Sequence, residues 1–301
     1  MDKPSEPSSS QGPADLPELG LPERYNYIAA FLTLGCNYRC SFCINRFGDA
    51  DLLYETIPGA DWLRGLNRLR SRPDLPVTLQ GGEPSLHPDF YAIIRGLRPD
   101  LPIDILTNLQ FDADRFIANV PPQRVRREAP YASIRVSFHP EVMALDDIKP
   151  KVLKLMEHGY SVGIWAVEHP DHMAEIERAA AECDAAGIDF RTKQFLGVHQ
   201  GRLYGTYRYP DALTGRRIGA AMCRTSELII GPGGHLFRCH ADLYARRAPI
   251  GHLCEPGFSI QDVFRRCDAY GLCNPCDVKV KTNRFQQFGH TSVEIERVRP
   301  S

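Results

Sequence analysis

Ten cysteines constrain this chain more than any other feature, because they fall into two groups about half a chain apart. Cys36, Cys40 and Cys43 lie near the start, and Cys223, Cys239, Cys254, Cys267, Cys273 and Cys276 near the end, with Cys183 alone between them. The opening MDKPSEPSSSQGP lacks the apolar core of a secretory signal. The longest apolar candidate, Tyr27 to Cys36, has ten residues, short of the roughly 20 a membrane helix needs. A cytoplasmic protein is expected, without membrane attachment. Disulfides rarely persist in that compartment, so the thiols are expected to hold metal, at two sites.

The first group reads GCNYRCSFCIN, three thiols at CxxxCxxC spacing with no fourth until Cys183. Structural zinc takes four ligands in close pairs, which this loop does not provide. Three thiolates suit an iron-sulfur cluster that leaves one iron open. Downstream, LPVTLQ (75 to 80) reads as a short buried strand running into Gly81-Gly82-Glu83-Pro84. Paired glycines let a backbone approach a ligand closely, and an adjacent carboxylate can accept from an ammonium. On turn chemistry alone the same four residues make a strand-ending turn.

Together these motifs resemble the radical SAM (S-adenosylmethionine) superfamily, whose loop is CxxxCxΦC with an aromatic residue before the last Cys; Phe42 fills that position. The resemblance implies that Cys36, Cys40 and Cys43 bind a 4Fe-4S cluster whose open iron chelates SAM. It also implies that Gly81, Gly82, Glu83 and Pro84 serve the amino group of the SAM methionine end.

Between residues 23 and 200, apolar strand-like runs alternate with helical patterns, giving six strands: Tyr27 to Leu34, Val77 to Gln80, Ile103 to Thr107, Ser133 to Phe138, Ser161 to Val167 and Ile188 to Phe195. Helices are expected over Asp61 to Leu69 and Asp89 to Leu97, and near Phe116, Leu153 and Glu177. Alternation of this kind implies a parallel sheet with right-handed crossovers and chemistry at the C-terminal strand ends. The Cys loop, GGEP, Thr107-Asn108 and Ser137 all fall at such ends. The fold class is therefore α/β, and the resemblance implies a partial (β/α)6 TIM-like barrel with a small C-terminal cysteine-rich module. It further implies that Thr107, Asn108 and Ser137 face SAM or substrate and that Val162-Gly163-Ile164 packs on adenine. Without it, Thr-Asn is a loop start, Ser137 a backbone-bonding side chain and the last segment a core strand. Residues 1 to 22, rich in Ser, Pro, Glu and Asp, are expected to be disordered.

The rhythm stops after Leu196-Gly197, and a cysteine-rich module is expected over 201 to 301. A hairpin around GPGG (231 to 234) brings Cys223 and Cys239 within reach. The C-x15-C pair, Gly234-x4-Cys239, the IGHL stretch and the closing Cys273-xx-Cys276 resemble the SPASM or twitch extension of radical SAM enzymes. That resemblance implies a second, auxiliary 4Fe-4S cluster on Cys223, Cys239, Cys273 and Cys276, with Cys267 the rival ligand. A hairpin pair plus a later CxxC is also how zinc ribbons are built, so zinc stays open here. Cys183 reads as a small buried apolar residue. The histidines, which lack i, i+4 pairing, read as surface or core groups, and Arg124, Arg126 and Arg127 as a solvated face. Tyr204, Tyr207 and Tyr209, interleaved with Arg202 and Arg208, are placed to cover the active site.

With 36 Lys plus Arg against 37 Asp plus Glu, the chain has no electrostatic footprint for nucleic acid. The resemblance implies an oxidoreductase in which an electron from a donor such as flavodoxin or ferredoxin drives cleavage of SAM to a 5'-deoxyadenosyl radical. That radical abstracts hydrogen from a substrate carbon, and a closed auxiliary cluster favours an oxidation or dehydrogenation. Modification of a ribosomal peptide is the alternative, and a noncatalytic zinc or iron-sulfur interaction module the third reading. No catalytic side chain is singled out.

Overall fold

The computed structural model describes residues 16–43, 45, 55–216, 218–281 and 289–297. Residues 1–15 of the expected lead-in lie outside this set, but the lead-in's end is ordered. Strand β1 (Leu19–Gly20) pairs in parallel with β3 (Leu69–Arg70), and Leu19 is buried in the main core. An apolar Leu in a polar segment finds a place there because the helix before β3 stops early. Helix α1 spans Gly59–Leu66, three residues short of the expected end, which frees Leu69 to extend.

The centre is a run of six parallel strands: β2 (Tyr27–Thr33), β4 (Val77–Gly81), β5 (Ile103–Thr107), β6 (Ile134–Phe138), β7 (Val162–Glu168) and β8 (Asp189–Gln194), paired in that order. The connections carry α1, α2 (Phe90–Gly96), α3 (Ala113–Asn119), α4 (Pro122–Val125), α5 (Leu145–Glu157) and α6 (Met173–Ala185). Apolar side chains at helical spacing dock on the sheet: Ile148, Val152 and Leu155 from α5, and Ile176, Ala179 and Cys183 from α6. Strand alternation divides the sheet's faces. Ile134, Val136 and Phe138 of β6 enter the core, whereas Arg135 and Ser137 point to a cavity on the other face.

Beyond β8 come a short ribbon, β9 (Gly197–His199) with β10 (Arg202–Tyr204), and then β11 (Gly219–Thr225). The hairpin expected at GPGG is present: β12 (Glu227–Ile230) pairs antiparallel with β13 (His235–Phe237). This hairpin belongs to the barrel sheet, since β12 runs parallel to β2, with Leu228 opposite Ile28, and β14 (Gly251–His252) extends β13. The sheet thus has nine strands. Helix α7 (His240–Tyr244), β15 (Arg265–Tyr270), α8 (Pro275–Val278) and β16 (Val293–Arg297) follow, with β15 and β16 flanking β11 in a second sheet. Among the described residues no helix is long and apolar enough to cross a membrane.

Candidate active site

The cysteine loop leaves the end of β2, and the GGEP segment, at the end of the neighbouring strand β4, is joined to it by backbone. The Gly82 N–H donates to Thr33 O at 3.0 Å and the Glu83 N–H to Gly35 O at 2.9 Å. A Cβ on Gly81 would lie 2.0 Å from Thr33 O, and one on Gly82 2.1 Å from Gly35 O; Gly81 also has a φ of +151°. Only glycine permits this approach.

Glu83 is 1% exposed and its carboxylate is engaged internally. Oε1 accepts from Ser85 N (3.1 Å), Ser85 Oγ (2.6 Å) and Thr107 Oγ1 (2.9 Å), and Oε2 accepts from Asn108 N (2.7 Å). Burial pushes its pKa up, and these donors pull it back. The expected acceptor for an ammonium is thus a brace between the ends of β4 and β5, and Pro84, also buried, opens the turn behind it. Neither lines the cavity, whereas Gly81 and Gly82 do. Asn108 extends the brace by donating from Nδ2 to Asn37 Oδ1, inside the cysteine loop, at 2.7 Å.

These elements face a cavity of about 460 Å³. Cys36, Cys40, Cys43, Phe42, Thr107, Asn108 and Ser137 all line it. Burial raises the Cys36 thiol pKa and pushes that of Cys40 up to about 12, with the neighbouring thiols adding to both. A bound cation displaces protons from such thiols and compensates the charge of the thiolates formed. The loop is also held from outside, with Ser41 N donating to both carboxylate oxygens of Glu141 at 3.2 and 3.0 Å. Phe42 sits between two imidazoles, its ring centroid 5.1 Å from that of His139 and 5.2 Å from that of His169.

Part of the lining comes from the far end of the sequence, where Asn274 Nδ2 donates to Asn45 Oδ1 beside the cysteine loop at 3.3 Å. Cys276 and His240 line the same cavity, and His240 is held by Asp277, whose Oδ1 lies 2.8 Å from its Nδ1. Cys223, Cys239 and Cys267 are buried in one cluster with Cys273 against it. A hydrogen bond between the Cys223 and Cys267 thiols raises the pKa of the first, as burial also does, and lowers that of the second against the effect of its burial. Cys267 therefore stands among the thiols of the expected set, while Cys276 faces the cavity. One tetrahedral zinc with Zn–S bonds of about 2.3 Å needs thiolates about 3.8 Å apart. Among the described residues no three thiols lie within 4.8 Å of one another.

Several cavity residues carried no sequence signal: Tyr131, Arg135, Trp165, Arg191, Lys193, and a buried ion pair of Lys281 with Glu227. Arg135, Trp165, Arg191 and Lys193 lie on β6, β7 and β8, so the sheet must be known to place them, and Tyr131 lies on the loop before β6. Other expectations are corrected. Val162 and Ile164 are core residues, and a Cβ on Gly163 would lie 2.8 Å from the Trp165 ring, which fills that space. Tyr204, Tyr207 and Tyr209 do not line the cavity, and Arg202 and Arg208 stack on Tyr204 and Tyr209 instead. Arg124 and Arg127 are no solvated face: Arg124 donates to Leu97 O, Arg98 O and Leu101 O, and Arg127 pairs with the buried Asp104.

The family model for the Radical SAM superfamily matches residues 31–201, more than half of the chain. The structure of native anSMEcpe with bound AdoMet and Kp18Cys peptide is similar with a TM-score of 0.53 at 11% identity, covering 79% of this chain and 78% of that one. Native anSMEcpe with bound AdoMet gives 0.51 at 10% identity, covering 76% of this chain and 78% of that one. Streptococcus suis SuiB bound to precursor peptide SuiA gives 0.45 at 14% identity, covering 81% of this chain and 64% of that one.

Proposed function

Since the chain belongs to the radical SAM superfamily, with a 4Fe-4S cluster and SAM as its cofactors, we propose that it oxidises a small polar substrate at carbon, assisted by a second 4Fe-4S cluster on the C-terminal thiols. The observation that carries this reading is that Cys36, Cys40 and Cys43 share one cavity with Cys276 of the second thiol group. When bound, the first cluster and SAM supply hydrogen-atom abstraction, and the second supplies an electron acceptor beside the substrate.

The chain's own residues do the rest. Cys36, Cys40 and Cys43 would hold the first cluster. Gly81 and Gly82 bring backbone to the cavity wall, and Glu83, Thr107 and Asn108 keep that edge fixed to the loop. Phe42, packed between His139 and His169, excludes water from one side. Arg135, Arg191 and Lys281, paired with Asp104, Asp189 and Glu227, line the cavity together with Lys193, Tyr131 and Trp165, a polar and aromatic lining that suits a substrate with hydroxyl groups. The C-terminal cluster would draw its ligands from Cys223, Cys239, Cys273 and Cys276, with Cys267 in reach of the same position. An external donor such as flavodoxin or ferredoxin supplies the electron.

Peptide modification is the second reading. It is favoured by the peptide bound to anSMEcpe and by a cavity of about 460 Å³, which accepts one peptide side chain as well as a small molecule. Anaerobically reconstituted, reduced protein incubated with SAM is expected to form 5'-deoxyadenosine. Cys40→Ala should abolish it, whereas Cys273→Ala should retain uncoupled cleavage while losing about four iron. Absence of 5'-deoxyadenosine from the intact protein would favour the noncatalytic module. Unchanged iron in Cys273→Ala would refute the second cluster.

A further inference from the structure

Two histidines and an aspartate meet outside both thiol groups. His169 and Asp171 lie on the turn that follows β7, and His199 ends β9 on the ribbon beyond β8. Each offers one ligand atom, and the three atoms all lie within 4.8 Å of one another. Among the described residues no other set of three His, Cys, Asp or Glu ligand atoms converges this closely. His199 Nε2 is 3.1 Å from Asp171 Oδ1, and the His169 and His199 ring centroids are 4.9 Å apart.

We propose that His169, Asp171 and His199 form a mononuclear site for a divalent transition-metal ion, separate from either iron-sulfur cluster. The donor set is two imidazoles and one carboxylate, a combination that suits Zn²⁺ or Fe²⁺ and leaves at least one coordination position for water or another ligand. In a tetrahedron with bonds of about 2.0 Å, ligand atoms stand about 3.3 Å apart. Side-chain rotations of about 1 Å therefore suffice to close the present arrangement.

A hydrogen bond between His199 and Asp171 explains that pair but not the third ligand beside it. His169 is 5% exposed and is fixed by packing, its ring 4.8 Å from Phe195 and 5.2 Å from Phe42. Among the described residues the one hydrogen bond to its ring, from Asp171 N to Nδ1, is long at 3.3 Å, so metal ligation gives up little there. The Asp171 side chain is 52% exposed and leaves a route for the ion from solvent. Phe42 and Phe195 both line the cavity, which places the site behind its wall. A bound ion would clasp the β9–β10 ribbon to the turn after β7. This inference rests on the geometry of the three residues and not on the oxidative reading of the cavity.

The test uses the full chain, reconstituted anaerobically with iron and sulfide so that the thiols are occupied, and dialysed against zinc. One zinc per chain is expected, falling to near zero in His199→Ala and Asp171→Asn with iron content unchanged; His172→Ala, outside the trio, should keep it. Zinc binding equal in wild type and both variants, or no zinc in the wild type, overturns the site. The zinc K-edge spectrum of the wild type decides the matter even if a variant fails to fold. Nitrogen and oxygen ligands at about 2.0–2.2 Å support the trio, and sulfur at about 2.3 Å places the ion on thiols and overturns it.

Discussion

Replacing Glu83 with Gln separates a structural brace from a ligand-binding side chain. The carboxylate accepts three hydrogen bonds at Oε1 and one at Oε2. An amide keeps the three only if its oxygen takes the Oε1 position, and its NH₂ group then faces the Asn108 N–H, where Oε2 now accepts at 2.7 Å. One charge-assisted bond is lost, about 1.5–3 kcal/mol, and a buried donor is left without an acceptor, about 1–3 kcal/mol more. The reverse orientation opposes three donors and is worse. The two losses overlap, because they concern one contact, so a net destabilisation of about 2–4 kcal/mol is expected. The assay is urea unfolding of the apoprotein, without iron or SAM, with Glu83→Gln and wild type side by side. Equal stability within about 0.5 kcal/mol would refute the brace and leave Glu83 to act only on a ligand.

Two further outcomes follow from buried charge. Asp104 is fully buried and holds Arg127 in a two-pronged contact (2.6 and 2.9 Å) and Arg135 at 3.0 Å; Asp104→Asn leaves two guanidinium groups uncompensated and should cost about 3–5 kcal/mol, read as a large drop in melting temperature, while an unchanged melt would contradict the pairing. Burial, with Lys193 nearby, lowers the His139 pKa to about 4. The unfolded imidazole, near 6.5, therefore takes up a proton first, so apoprotein stability should fall as pH drops from about 6.5 toward 4, by at most about 1.4 kcal/mol per pH unit from this group. His139→Phe should flatten that limb, and an unchanged pH profile would sink the assignment.

Strands such as Tyr27–Thr33, found where the apolar run predicts it, were legible because a buried parallel strand needs apolar residues on both faces. The run Leu228-Ile229-Ile230 showed a hairpin, but its parallel pairing with Ile28-Ala29-Ala30 joins segments two hundred residues apart, and no local pattern encodes such a partner. The same limit hid the convergence of His169 with His199 and of Lys281 with Glu227. Arg124 and Arg127 misled for another reason. A basic run looks solvated until the carbonyls at the end of α2 and the buried Asp104 are placed beside it. The cysteine loop and the GGEP segment were readable because glycine is required where two backbones meet at Gly82 and Gly35, and because three closely spaced thiols have few other uses.

In the proposed enzyme two iron-sulfur clusters border one cavity, one on each thiol group. Iron and sulfide per chain after anaerobic reconstitution, for the intact protein and for the Cys36/Cys40/Cys43 triple Ala variant, test it most directly. Roughly eight iron and eight sulfide, falling to about four of each in the variant, are expected. About four falling to none would mean that the C-terminal thiols hold no cluster, and the proposed oxidation would lose its electron acceptor.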